Sequence, residues 1–390
     1  MSGGHGVYMD YQASTPLDPR ALAAMRPYLE GPGGFGNPHA ADHGYGWEAD
    51  SAVINARTLI AKSIGADTDE IVFTSGATEA NNLALLGSAR AAAPDRREVI
   101  VSAIEHKCVL AAARVLTDHG FCIHLAPVDA SGIVDVDALA NRITSSVAIV
   151  SVMTINNETG VTQPIAAIGE LCRSKGVLFH SDAAQALAVS AIDVNACNID
   201  LLSLSAHKSY GPKGIGALYV RRQQRNRIQP IMFGGGQEDG LRPGTLPVPL
   251  CVGFGAACAL LADAGPDERR RLAALRDRML DDLLTAIPDL VVNGAMAQRH
   301  PGNLNVRVPG VEAELLLAAA RPNLAAATGS ACTSGLTEPS HVLTAMGLSA
   351  AEASESVRLS LGRFTNEADV DVAVSAFARA VEEVRQSGHL

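Results

Sequence analysis

Five lysines, Lys62, Lys107, Lys175, Lys208 and Lys213, are the only side-chain amines in the chain, so chemistry needing an amine nucleophile has five candidates. Lys208 differs from the rest in its setting. It follows the apolar run Leu201-Leu202-Ser203-Leu204 and precedes a Gly211-Pro212 turn, with Ser205 and His207 beside it. A lysine is ordinarily a solvated surface charge; at the end of a buried strand it is desolvated, can lose its proton and becomes a Schiff-base nucleophile. Ser205 and His207 add donors suited to a phosphate. Asp182 ends the strand that opens with the run Val177-Leu178-Phe179-His180. Such an aspartate is either a helix cap or a carboxylate held against a pyridinium nitrogen, which keeps that ring protonated and able to absorb electrons. Lys208 paired with Asp182 is the arrangement expected for pyridoxal 5′-phosphate.

Further candidates have the same kind of position. Ser75-Gly76-Ala77-Thr78-Glu79 joins a strand to a helix, where the glycine allows close approach and the helix N-terminus favours a phosphate, although plain caps look alike. His106 follows the run ending at Ser102; it is either structural or, beside a flat cofactor, a stacking partner and proton carrier. The loop Asn156-Asn157-Glu158-Thr159-Gly160 offers an amide to orient a substrate or a cofactor hydroxyl. Cys332 lies in Thr328-Gly329-Ser330-Ala331-Cys332-Thr333-Ser334-Gly335, small and polar like an exposed loop, where a thiol is a candidate nucleophile. The other six cysteines lie in apolar or helical contexts and read as inert core thiols. Arg358 alternates with apolar neighbours on a strand, either paired structurally or presenting a fork to a substrate carboxylate.

The elements that must position these residues are short apolar strands alternating with helix-length segments. Strands are expected at Ile71–Thr74, Val99–Ser102, Val147–Val152, Val177–His180, Asp200–Leu204 and Gly216–Val220, with a helix over about 165–175. Continuous apolar strands separated by helices predict a mainly parallel sheet covered on both faces, with ligands beyond the carboxyl ends of its strands. After about residue 260 the pattern changes. Asp267–Leu284 reads as a long charged helix, Asn303–Val308 as a strand and roughly Glu367–Arg385 as a terminal helix. The expected organisation is α/β: a large domain over 15–260, and a smaller α+β domain formed by 1–14 with 261–390 and carrying the cysteine loop.

Composition bounds the function. The chain has 390 residues, 47% apolar and 18% charged, which excludes disordered, collagenous and disulfide-scaffold classes. The formal charge of −10 argues against nucleic acid or an anionic membrane as partner. No apolar run approaches the roughly 18 residues of a membrane span. Seven scattered cysteines without CxxC pairs or metal-ligand spacing, behind an N-terminus unlike a targeting segment, suggest reduced thiols in the cytoplasm.

Taken together, the segments resemble the cysteine desulfurases of the pyridoxal-phosphate fold-type I, class V aminotransferase-like superfamily. The resemblance rests on Tyr8–Tyr11, Phe35–Pro38, Thr74–Glu79, Glu105–Lys107, Asn156–Gly160, Asp182–Gln185, Ser205–Gly214, Arg242–Thr245, Gly329–Ser334 and Arg358–Thr365. It implies a seven-stranded-type sheet in the large domain, and the conversion of L-cysteine to L-alanine with sulfur passing to Cys332 as a persulfide. Lys208 would hold the cofactor, Asp182 its ring nitrogen, Gln185 and Asn157 its 3′-oxygen side, and His106 would stack on the ring. Ala77, Thr78, Ser205 and His207 would hold the phosphate, joined by Thr245 from across a homodimer interface. Arg358, with Asn37 and Asn157, would receive the substrate carboxylate. The Ser330–Ser334 loop resembles the long-loop group, whose cysteine delivers sulfur to acceptor or scaffold proteins for iron–sulfur clusters or thio-modification and can act as a transient iron–sulfur ligand. The alternatives are an aminotransferase or selenocysteine lyase of the same fold, with no use for the loop thiol, and a non-catalytic sulfur relay, with no use for Lys208, Asp182 and His106.

Overall fold

The computed structural model describes residues 6–31, 34–329 and 339–387. Twelve strands occur among them: β1 Val7–Tyr8, β2 Ile71–Thr74, β3 Glu98–Ser102, β4 Cys122–Ala126, β5 Val147–Ser151, β6 Leu178–Asp182, β7 Leu201–Ser205, β8 Gly216–Val220, β9 Val291–Val292, β10 Asn303–Arg307, β11 Leu324–Ala325 and β12 Ser356–Ser360. Seven of them form one sheet in the order β2-β8-β7-β6-β5-β3-β4. All neighbours are parallel except β8, which is antiparallel to both β7 and β2. The connection 206–215 from β7 to β8 is too short for a parallel crossover, so the chain must turn back. β2 consequently points the same way as β5, β6 and β7, and their carboxyl ends share one edge.

Strands β5 to β8 are buried at every position, as their unbroken apolar runs require when helices cover both faces. On one face the helix Gly44–Ser63 packs through Ala52, Ala56 and Ile60 against the apolar start of the helix Val248–Ala286. On the other lie the helices Ala77–Ala91 and Lys107–Thr117. Sequence periodicity did not reveal β4, an edge strand with Cys122 and Leu125 exposed, because it lacks a continuous buried run. β6 ends at Asp182, the residue expected to close this strand.

The helix expected at Asp267–Leu284 is the second arm of Val248–Ala286, whose segments Val248–Ala262 and Gly265–Ala286 meet at 76°. Pro266 falls in the first turn of that second arm, where a missing N–H costs nothing. A separate apolar cluster joins Met9 to Leu272, Met279, Leu304, Val357 and Phe377, around the antiparallel strands β9, β10 and β12. No single helix among the described residues is long and apolar enough to cross a membrane.

One buried ion pair ties the first helical layer to the sheet. Glu238 accepts Arg57 Nη2 at 2.6 Å, Arg57 Nη1 at 2.8 Å and the Phe73 backbone N–H at 2.7 Å, while the guanidinium lies 4.8 Å from the Phe73 ring centre. Removing one partner of such a pair strands the other charge. Glu238→Ala should therefore lose about 3–5 kcal/mol of stability in urea unfolding. A loss below about 1 kcal/mol would class the pair with exposed ion pairs.

Candidate active site

The carboxyl ends of β2, β5, β6 and β7 open into a cavity of about 550 Å³. Ala77 and Thr78 line it from the helix after β2, and His106 from the N-terminus of the helix after β3. Asn157 enters from the loop after β5, Asp182 and Gln185 from the end of β6, and Ser205, His207 and Lys208 from the end of β7. Arg358 reaches it from β12, a strand of the separate three-stranded sheet. These ten expected residues come together although up to 281 positions separate them (358 − 77).

Two others do not line the cavity. Asn37 is exposed and turns its Oδ1 back to the His39 N–H at 3.0 Å. Thr245 is exposed on the segment after Gly244. Cys332 lies outside the described residues; Gly329, shortly before it, lines the cavity.

Lys208 Nζ donates to the backbone oxygens of Gln12 at 2.5 Å and Ala13 at 2.9 Å. Gln185 Nε2 donates to the same Gln12 oxygen at 2.9 Å, so the N-terminal segment spans the β6 and β7 ends. Asp182 caps no helix, because turns follow it over 184–189; its Oδ1 accepts the Ala184 N–H within that turn at 2.9 Å. Its Oδ2 accepts Asn81 Nδ2 at 2.7 Å. Arg358 donates from Nη1 to the Asn157 backbone oxygen at 2.6 Å and from Nη2 to Asp10 Oδ1 at 2.7 Å, leaving Nε buried without a partner.

Burial sets the protonation of the imidazoles. It lowers the His106 pKa, and brings His207 down to about 4 with help from Lys208 and Lys213. His180 falls to about 3 through burial alone; neutral, it bridges β5 and β7 through Ser151 at 2.8 Å and Ser203 at 3.0 Å. Glu105, fully buried behind His106, is pushed well above the carboxylate range by burial and then by Asp182.

Some site residues are not apparent from sequence. Asn81 sits one turn into the helix Ala77–Ala91, and a wholly buried amide three residues after Thr78 is its only local signal. Cys108 is not inert core: its Sγ lies in the cavity, 2.9 Å from His106 Nδ1. Cys122 also departs from the buried expectation, because β4 is an edge strand. Lys213 lines the cavity as well, although its side chain is exposed.

The cavity suits a flat, phosphorylated, aldehyde-bearing cofactor. Gly76 has φ +155° with open space where a side chain would project, and no side chain caps the helix N-terminus behind it, so backbone N–H groups face the cavity. Asn157 Oδ1 and Arg358 Nε are buried polar atoms without partners there. An amine and a buried carboxylate stand at adjacent strand ends. Pyridoxal phosphate satisfies this donor set, and Lys208, Asp182, His106 and the Ala77–Thr78 turn are the residues that would hold it.

The chain belongs to the class-V aminotransferase family, whose match covers residues 7–372, and pyridoxal phosphate is its cofactor. It is 49% identical over 380 residues to the cysteine desulfurase IscS of Rickettsia conorii, spanning 97% of this chain and 92% of that protein. Among solved structures it resembles a NifS-like protein with a TM-score of 0.90 and 31% identity, covering 97% of this chain and 100% of that one. SspA, solved in complex with cysteine, superposes with a TM-score of 0.80 at 38% identity, over 92% of this chain and 100% of its own.

Proposed function

We propose that this chain, a cysteine desulfurase, divides its reaction between Lys208 and Cys332. The net change is balanced without an external oxidant: the Cβ–S bond of L-cysteine breaks, Cβ gains hydrogen to give L-alanine, and the sulfur joins Cys332 as a persulfide. Bound pyridoxal phosphate supplies the electron sink that makes the cysteine Cα–H acidic and weakens Cβ–S. Lys208, released from its carbonyl partners, takes the Cα proton. Asp182 holds its charge against the ring nitrogen, oriented by Asn81 and the Ala184 N–H. Arg358 receives the substrate carboxylate, with its unpartnered Nε as the open donor. His106 carries protons beside the reacting carbon and sulfur. The convergence of Lys208, Asp182, His106 and Arg358 on one cavity is the observation that supports this scheme.

Cys332, on this proposal, takes the sulfur and passes it to an acceptor protein, in iron–sulfur cluster assembly, tRNA thiolation or DNA phosphorothioation. A division into a large unit over 15–260 and a smaller unit formed by 1–14 with 261–390 has support in the separate apolar cluster around Met9 and Phe377. A homodimer has support in three exposed aromatic side chains, Phe35 at 77%, Phe233 at 73% and Trp47 at 60%, and in the position of Thr245 outside its own cavity. We place the enzyme in the cytoplasm.

Product analysis tests the reading. With L-cysteine and a thiol reductant, the purified protein should form alanine and sulfide in equal amounts. A keto acid in place of alanine would make it a transaminase; alanine formed from selenocysteine but not from cysteine would make it a selenocysteine lyase.

A further inference from the structure

His106 makes contacts that this scheme leaves unused. It caps the helix Lys107–Thr117, its Nδ1 accepting the Cys108 backbone N–H at 3.2 Å. Cys108 Sγ lies 2.9 Å from the same nitrogen. A backbone N–H can only donate, so Nδ1 carries a lone pair and the neutral ring keeps its proton on Nε2. Toward that lone pair the thiol has one role, as donor. On its other side Sγ accepts Asn81 Nδ2 at 3.2 Å, and that nitrogen also donates to Asp182 Oδ2 at 2.7 Å. The carboxylate fixes the amide's orientation, because the amide oxygen turned toward it would be repelled. Every bond in the chain therefore has a direction: Asn81 gives to Asp182 and to Cys108, and Cys108 gives to His106.

We propose that Cys108 is a positioning residue whose S–H, together with its backbone N–H, holds His106 as the neutral Nε2–H tautomer, so that the ring enters the reaction as a proton donor at Nε2. The inference rests on the proton-carrying role given to His106 above. Burial pushes the Cys108 thiol up to about 12, with Asp182 adding to the effect, so the S–H persists across the working pH range. A thiol that keeps its proton is also a poor competitor for sulfur, although it lies in the cavity. The charged groups facing His106 oppose one another: Asp182 favours the imidazolium, whereas Lys208, His341 and Lys107 disfavour it. Burial, with Asp182 adding to it, raises the pKa of Glu105, adjacent in sequence.

Isotope-labelled histidine in the holoenzyme, with His106 assigned against a His106→Gln variant, reads the tautomer from the two ring-nitrogen resonances. The expected spectrum has the proton on Nε2 in the wild type and in Cys108→Ser, whose hydroxyl can also donate. Cys108→Ala keeps the backbone N–H but removes the side-chain donor to Nδ1, and the His106 titration midpoint should rise by roughly half a pH unit to one unit, the equivalent of one hydrogen bond. The acidic limb of the kcat–pH profile should move the same way. A wild-type proton on Nδ1, or an unmoved midpoint in Cys108→Ala, overturns the proposal. If Cys108→Ala does not fold, the wild-type tautomer and a Cys108→Ser midpoint matching the wild type decide it, and a Cys108→Ser midpoint raised above the wild type overturns it. These resonances are read whether or not cysteine is the substrate, so failure here is distinct from failure of the desulfurase reading.

Discussion

Replacing Lys208 with alanine should abolish turnover and remove every borohydride-reducible link between the protein and its cofactor. The expectation follows from position. Lys208 follows β7 beside Asp182 at the end of β6, and its Nζ donates to main-chain oxygens of Gln12 and Ala13, partners that a competing carbonyl group can displace. Lys213 also lines the cavity but is exposed on the turn leading to β8. Lys213→Ala should therefore keep the reducible link that Lys208→Ala loses. Visible absorbance, borohydride reduction and mass of the intact chain measure both variants. A reducible adduct persisting in Lys208→Ala would assign the amine elsewhere.

Cys332→Ser should split the reaction rather than abolish all of it. The variant should retain cofactor absorbance and still respond spectrally to cysteine, while losing persulfide formation and sulfide release. The other cysteines are poorly placed for the role. Burial pushes the thiols of Cys172, Cys251 and Cys258 up to about 12, with carboxylates adding to it at Cys172 and Cys251, and burial raises Cys197 as well. Cys122 is exposed, but it begins β4, which runs parallel to β3; the cavity lies at the opposite ends of these strands. Cys108 reaches the cavity with its proton held. Each of these six should tolerate single replacement with sulfur transfer retained, at some cost in stability where the thiol is buried. Rapid-mixing spectra with a persulfide label would decide the matter, and normal sulfur capture by Cys332→Ser would contradict it.

Much of this site was legible in the sequence because the sheet announces itself. Strands buried on both faces must be continuously apolar, so β5, β7 and β8 stand out, and the residues just past such runs are the ones a parallel sheet offers to a ligand. Lys208, Asp182, His106 and the Ser75–Glu79 turn were found that way, whereas their joint assignment to a desulfurase drew on resemblance. What stayed hidden depends on neighbours distant in sequence. β4 is an edge strand whose exposed positions break the apolar run. The first arm of Val248–Ala286 is buried nearly all round and shows no polar stripe to mark its period. Cys108 looks like any small helical residue until the fold sets Asn81 and Asp182 beside it, and Asn81 shows its role only through the carboxylate it orients. Asn37 and Thr245 were expected at the site, and neither lines the cavity of its own chain.

The central claim is that sulfur leaves cysteine for Cys332 as alanine forms. It is tested most directly by a single turnover of the wild-type holoenzyme with sulfur-labelled L-cysteine, followed by alkylation and peptide mapping. The account predicts one alanine for each labelled sulfur, with the label on the peptide carrying Cys332 and released by a thiol reductant. Label on the peptide of Cys108 or any other cysteine, or alanine formed with no protein-bound sulfur, would contradict it.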